Sequence, residues 1–106
     1  MMHATVRRYD GVDEARRDEL TKKVNEALIP RLSKLPGFGG YYLVEADRGV
    51  MTSISFFDSQ EHADESTRLA ASWIRDEKLE GALPNPPKIT FGKVIAQKTN
   101  GGVTAV

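Results

Sequence analysis

The chain has no cysteine, only two histidines, and no excess of charge of either sign. The absence of cysteine excludes a disulfide framework, a thiolate nucleophile and a cysteine-ligated metal. Because 15 Lys and Arg residues balance 15 Asp and Glu residues, binding of nucleic acid through a basic surface has no support. No apolar run reaches the roughly 18 residues of a membrane span. The first eight residues lack the apolar core of a signal peptide, so we expect a cytoplasmic protein.

The length and composition are those of one small soluble domain. The chain has 106 residues, of which 40% are hydrophobic and 28% are charged, and both proportions are ordinary for a globular protein. We predict a folded domain over residues 1–97. Residues 98–106 contain Asn100-Gly101-Gly102 and few apolar side chains before their end, so we predict a flexible tail there.

Alternation of side-chain character predicts four strands, at residues 2–9, 41–46, 50–57 and 88–97. In the first strand, one side carries His3, Thr5, Arg7 and Tyr9. Tyr41 and Tyr42 are adjacent in the second strand and must therefore lie on opposite faces of the sheet. The strands carry large apolar side chains on both faces, which predicts some burial on both sides.

Two helices are predicted between the strands. Asp10 and Asp13 are both candidate N-caps for the first helix, and Pro30 should kink that helix or mark a second short segment. Asp58 and Glu61 have the spacing of a capping box at the start of the second. The apolar residues recur at helical spacing: Leu20, Val24, Leu28 and Leu32 in the first helix, and Ala63, Leu69, Ala70, Trp73 and Ile74 in the second.

The predicted order β-α-β-β-α-β defines the fold class as α+β and ferredoxin-like. Right-handed crossovers place both helices on one face of a four-stranded antiparallel sheet and leave the other face uncovered. Since that face should also be apolar, it is expected to meet a partner. The simplest partner is a second copy of the chain, which would give a homodimeric α+β barrel with two sheets face to face.

Three stretches of the sequence are similar to one known family. The first is Leu-Pro-Gly-Phe-Gly-Gly-Tyr-Tyr at residues 35–42, between the first helix and the second strand. The second is the strand-to-helix step at residues 54–61. The third combines Ala-Ala-Ser-Trp at residues 70–73 with Pro-Pro at 86–87 and Phe-Gly-Lys-Val at 91–94. Over residues 2–97 the chain resembles the antibiotic-biosynthesis-monooxygenase-like proteins, which are small dimeric α+β barrels.

The resemblance implies a pocket between the sheet and the helices of each protomer. Some members oxidise phenolic polyketides with O₂ and need no metal or flavin, whereas others bind and degrade haem. Haem-binding members carry a histidine on the second helix beyond a tryptophan, and an asparagine on the first strand. Here Trp73 is present, but no histidine follows it and the first strand has no asparagine. We therefore expect no haem, no metal and no other cofactor.

Five residues are candidates for a site in that pocket. Arg7, Tyr9, Tyr42 and Trp73 are the expected ligand contacts, since an indole can stack on a planar ring and phenols can hydrogen-bond to it. His3 is a candidate general base if its side of the strand lines the pocket. Each has a structural alternative, namely core packing for the aromatic residues and an exposed or satisfied position for the histidine. The other histidine lies in the first turn of the second helix and is expected to be solvated.

Two functions remain open on this evidence. The protein could be a cofactor-independent monooxygenase acting on a small aromatic substrate. Alternatively, it could be a non-catalytic binding or assembly module with a hydrophobic pocket. The resemblance favours the enzyme, and the lack of a convincing base favours the module.

Overall fold

A computed structural model describes residues 2–98 of the chain, so the predicted tail at residues 98–106 lies outside the described part except for Lys98. The sheet and helices follow the predicted order β-α-β-β-α-β. A 3₁₀ turn, Glu14–Arg16, leads into the first helix. The elements are β1 His3–Tyr9, the first helix at residues 17–33, β2 Phe38–Ala46, β3 Val50–Phe57, the second helix Gln60–Asp76 and β4 Lys88–Lys93.

The four strands form one antiparallel sheet in the order β2-β3-β1-β4. Both helices pack on one face, so the α+β, ferredoxin-like fold predicted from the sequence is confirmed. Thr5 pairs with Ser55, and Ser55 pairs with Tyr41. Directly paired residues share a face of the sheet, so this register brings side chains from three strands together beneath the helices.

The first helix changes its hydrogen-bonding pattern before Pro30. It consists of α-helical Arg17–Lys23, a π-helical turn Val24–Leu28 and α-helical Ile29–Ser33. The backbone N–H of Ile29 donates to the carbonyl of Val24, five residues back. Because proline has no N–H and crowds the preceding turn, the regular hydrogen bond to the carbonyl four residues back is replaced there by one to the carbonyl five residues back. This change is the irregularity predicted around Pro30.

Several element ends differ from the prediction. β2 begins at Phe38 rather than residue 41, because Phe38 and Gly40 already pair with Phe57 and Phe56 of β3. β4 ends at Lys93 rather than residue 97, because its partner β1 begins at His3, which already pairs with Lys93. The N-cap of the second helix is Ser59 rather than Asp58. The Ser59 hydroxyl accepts a hydrogen bond from the His62 backbone N–H at 3.2 Å.

The two faces of the sheet have different surroundings. In β1 and β3 most side chains facing the helices are buried, and among them are the polar residues Thr5, Arg7, Ser53 and Ser55. On the same side, Ile89 and Phe91 of the edge strand β4 are exposed. The opposite face, which we call the open face, carries the apolar residues Ala4, Val6, Tyr42, Val44, Ile54 and Phe56 and the polar residues Arg8, Thr52, Lys88 and Thr90. On it the Tyr42 side chain is 52% exposed and contacts the edge of the Phe56 ring. Within residues 2–98, no helix is both long and apolar enough to cross a membrane.

Candidate functional site

A cavity of about 40 Å³ lies between the helix-facing side of the sheet and the two helices. Most of its wall is apolar, because the four-residue spacing of the first helix aims one stripe at the sheet. That wall is formed by Leu20, Val24, Leu28, Leu32, Leu43, Met51, Ala70, Trp73, Ile74 and Leu83. Such a wall suits an apolar or aromatic ligand, but ligand pockets usually enclose roughly 300 Å³ or more, so an aromatic molecule would need more space than this cavity alone provides.

Polar side chains form the rest of the lining. They come from alternate positions of adjacent strands and from the second helix: Arg7, Tyr9, Tyr41, Ser53, Ser55 and Ser66. The set contains one cation and several hydroxyl groups, but no carboxylate and no imidazole. The cavity therefore offers hydrogen-bond donors and one positive charge, without a side chain that would act as a base near neutral pH.

Arg7 is the most unusual member of this lining. Its side chain is buried, with the residue only 4% exposed. The guanidinium donates to the Ser55 hydroxyl at 3.4 Å and, through Nη2, to the Thr67 hydroxyl. No carboxylate among residues 2–98 forms an ion pair with it. Buried charges are usually paired with an opposite charge. The Arg7 guanidinium is an exception, because no negatively charged side chain among residues 2–98 pairs with it.

The two phenols near Arg7 do not supply that negative charge. Burial raises the pKa of Tyr41 to about 12, although a hydrogen bond with Ser53 and the Arg7 charge act in the opposite direction. Burial also raises the pKa of Tyr9, again against the effect of Arg7. Burial lowers the pKa of Arg7 itself, but a guanidinium in a protein stays protonated at neutral pH. At pH 7 the cavity therefore holds neutral phenols and a charged arginine.

Trp73 provides a second unsatisfied group. The second helix places the residue against the sheet with 2% exposure, where its ring forms part of the cavity wall. Its indole N–H is buried and has no hydrogen-bond partner within the described residues. A buried donor without an acceptor costs about 1–3 kcal/mol, so an acceptor atom from a bound molecule would stabilise this site.

A larger cleft of about 300 Å³ adjoins the cavity between the first helix and the edge strand β2. Its outer wall includes the exposed Asn25 from the π-helical turn, and such turns often lie at functional sites. The cavity and the cleft share the lining residues Val24, Tyr41, Leu43 and Met51. A planar molecule larger than the inner cavity could therefore extend into the cleft.

The structure brings together three of the five predicted site residues. Arg7, Tyr9 and Trp73 line the cavity. Tyr42 is on the open face and does not line the cavity, although it borders the adjoining cleft, and its neighbour Tyr41 is the tyrosine of β2 that reaches the cavity. His3 lies at the start of β1 and is not among the lining residues.

Several lining residues were not singled out from the sequence. Ser53, Ser55 and Ser66 line the cavity, and Thr67 holds Arg7 from the second helix. The signal available for two of them was the alternation of β3, which puts Ser53 and Ser55 on one side, but serines in a strand resemble solvent-facing residues.

The second histidine, His62, takes no part in the cavity. Its ring Nδ1 lies 2.6 Å from Asp58 Oδ1 at the surface. The hydrogen bond with that carboxylate raises the pKa of His62, with nearby negative charges adding to the effect. No group of three or more His, Asp or Glu side chains within residues 2–98 is placed to hold a metal ion.

No family model and no curated protein matches the chain, but solved structures do. A Streptomyces coelicolor monooxygenase from the gene ActVA-Orf6, in complex with the ligand nanaomycin D, is 18% identical with a TM-score of 0.69, over 94% of this chain and 92% of its own. A Bordetella bronchiseptica protein, provisionally assigned as an antibiotic biosynthesis monooxygenase, is 16% identical with a TM-score of 0.71, over 90% and 98%. A dimeric ferredoxin-like protein from an uncultured marine organism is 16% identical with a TM-score of 0.70, over 94% and 93%.

These likenesses extend over nearly the whole of each chain, at identities of 18% or less. Similarity at this level establishes a shared fold and leaves function to be argued from the site. The chain has the fold of the antibiotic-biosynthesis-monooxygenase-like proteins, and the resemblance inferred from its sequence is confirmed at the level of the fold.

Proposed function

We propose that the protein binds a small planar aromatic molecule in the cavity and oxidises it with O₂ without a cofactor. The observation that carries the proposal is Trp73, whose ring forms part of an apolar wall and whose buried N–H lacks an acceptor. A planar ring can stack on or against the indole, and an oxygen substituent on it can accept the N–H. The likeness in fold to a monooxygenase solved with a bound ligand supports the same reading.

The reaction would need little chemistry from the protein itself. A phenol with hydrogen at the position para to its hydroxyl reacts with one O₂ to give a quinone and one water, so the substrate supplies all four electrons. Ionisation of the phenol makes the ring a better electron donor to O₂, and the positive charge of Arg7 would favour the ionised form. The apolar wall of the cavity would keep bulk water from the reacting ring.

A second candidate is binding without turnover. The specific observation in its favour is that no carboxylate or imidazole is among the residues that line the cavity. Tyr9 and Tyr41, with their raised pKa values, are poor bases at neutral pH. A ligand that is not already acidic would then be held but not activated.

We also propose that the functional unit is a homodimer joined through the open face. At the centre of the sheet, β1 and β3 direct Val6, Ile54 and Phe56 away from the helices, and direct the polar residues Arg7 and Ser55 toward them. In a lone protomer this would leave the apolar side chains at the centre of the open face uncovered. A second copy laid against the open face would bury it, and one protein of this fold is described as dimeric.

The proposed activity can be tested with 1-naphthol as the aromatic probe. Binding is followed by thermal shift and by fluorescence, since Trp73 is the only tryptophan, and haem is included as a second probe. Oxygen uptake and formation of 1,4-naphthoquinone then report turnover. We expect Trp73→Phe to weaken binding, and the control Phe91→Leu, at an exposed aromatic residue that lines neither the cavity nor the cleft, to leave it unchanged.

Each outcome separates the alternatives. Binding with oxygen uptake supports the oxygenase, whereas binding without it supports the binding module. His3→Ala should not alter turnover, because His3 does not line the cavity, and a loss of turnover in that variant would return His3 to the site as a base. If neither naphthol nor any other aromatic probe binds, the cavity is not a ligand site.

A further inference from the structure

The positive charge of Arg7 inside the cavity indicates what charge the ligand should carry, which the fold alone does not specify. Arg7 lies at the middle of β1, on the helix-facing side, where Ser53 of β3 and Ile89 of β4 are its neighbours. With its carbon stem and guanidinium both covered, the charge cannot reach water as it does on most surface arginines. Desolvation of such a charge is expensive unless an opposite charge compensates it.

The groups that touch the guanidinium orient it without neutralising it. Ser55 and Thr67 accept its hydrogen bonds through hydroxyl oxygens, and a hydroxyl carries no net charge. Thr67 is fixed in turn, because its own hydroxyl donates to the carbonyl of Ala63 at 3.2 Å. The guanidinium is therefore held in place from two sides, by β3 and by the second helix.

The other polar groups of the cavity add donors rather than negative charge. The Trp73 N–H is unpaired, and Tyr9 and Tyr41 keep their protons at neutral pH because burial raises their pKa values. What the site lacks is a negatively charged acceptor. A molecule that brings one would pair with Arg7.

We propose that the ligand of this cavity is a small aromatic acid, whose anionic oxygen, as carboxylate or phenolate, pairs with Arg7. The pair would form in a water-poor site, where a charge-assisted hydrogen bond is stronger than at the surface. The inference rests on the proposed function, because it takes the cavity as the ligand site. It adds to that function a requirement for negative charge, which selects acids over neutral aromatic molecules of the same shape.

The test compares three probes of similar size by titration calorimetry on the full chain at neutral pH. Benzoate carries a carboxylate, 4-nitrophenol becomes a phenolate as the pH rises, and benzamide is neutral. We expect benzoate to bind at least about tenfold more tightly than benzamide, since a hydrogen bond between charged groups is worth that factor or more. If phenolate is also accepted, the affinity for 4-nitrophenol should rise as the pH passes through its own pKa.

Substitutions of Arg7 test whether the preference for benzoate over benzamide comes from that residue. Arg7→Met removes the charge and keeps much of the side-chain volume, so it should lower benzoate affinity at least about tenfold and leave benzamide within about twofold. Arg7→Lys should retain part of the preference for benzoate. Arg31→Met, which removes an exposed arginine from the first helix, is the matched control and should change neither affinity.

The results distinguish failure of this inference from failure of the proposed function. If benzoate and benzamide bind wild-type protein equally, or if Arg7→Met weakens both alike, the requirement for an anion is refuted while the cavity remains a ligand site. If no probe binds, charged or neutral, the proposed function fails as well. The comparison of benzoate with benzamide on wild-type protein needs no variant, so it decides the question even if Arg7→Met does not fold.

Discussion

Replacing Gly37 with alanine should destabilise the protein through two separable effects. Gly37 has a φ of +75°, a conformation that costs other residues about 1–2 kcal/mol. A Cβ at this position would also overlap the Asp58 carboxylate and lie 2.7 Å from His62 Nδ1. The Asp58 side chain would have to move, and its contact with His62 would be lost.

The expected loss of stability in Gly37→Ala is the cost of the backbone conformation plus the cost of the steric overlap. We expect Gly37→Ala to lower the free energy of unfolding by at least about 1–2 kcal/mol. For a domain near this size, each kcal/mol corresponds to roughly 4–8 °C in Tm. Gly92→Ala is the matched control, because Gly92 lacks a positive φ and a Cβ there would meet no heavy atom within 4 Å. It should be close to neutral.

Urea denaturation of the two glycine variants, each also made in an Asp58→Ala background, separates the effects. With the carboxylate gone, Gly37→Ala should retain the backbone cost and lose most of the steric cost. If Gly37→Ala were as stable as Gly92→Ala, the reasoning from positive φ would be refuted. Equal costs in both backgrounds would refute the predicted overlap with Asp58.

Three further predictions concern surface charge, the cavity and the open face. The pKa of His62 is raised above 6.5 and that of Asp58 is lowered below 3.8, in each case mainly by the hydrogen bond between them. Their contribution to stability should be fully present between these two values, be lost as pH rises through the raised pKa, and be lost as pH falls through the lowered one. The difference in urea midpoint between wild type and His62→Gln should therefore be larger at about pH 5.5 than at about pH 8.5, and an equal difference at both would contradict the pairing. Tyr41→Phe should weaken binding of 1-naphthol severalfold, and an unchanged affinity would contradict the placement of Tyr41 in the wall of the ligand site. Ile54→Asp should give a monomer by light scattering at concentrations where wild type is a dimer, and a wild-type monomer at micromolar concentration would remove the basis of the dimer proposal.

The order of elements was predictable because each depends on short-range periodicity. The four-residue spacing from Leu20 to Leu32 and the alternation of the strands are local patterns, and the ferredoxin-like order follows from them. The irregularity at Pro30 was predictable for the same reason, since a missing N–H acts on its own turn. The shift of the N-cap from Asp58 to Ser59 was not, because both residues are good caps and one residue of register decides between them.

The candidate site was predictable only in part. Alternation places Tyr41 and Tyr42 on opposite faces, but it does not say which face the helices cover. The residues of β3 made this choice harder, since Ile54 and Phe56 suggest a core and Ser53 and Ser55 suggest solvent. The structure puts the serines beneath the helices, together with Met51 and Phe57 of the same strand.

The sequence by itself determined the absence of cysteine, the order of strands and helices, and a resemblance to a family through stretches that include Gly37 and Trp73. These features depend on residues that are close together in the sequence, so they do not depend on how the chain packs. The burial of Arg7 without a carboxylate and the unpaired N–H of Trp73 were decided only by the tertiary structure. Both depend on which side of the sheet the helices cover, and that choice is made by the whole chain when it packs.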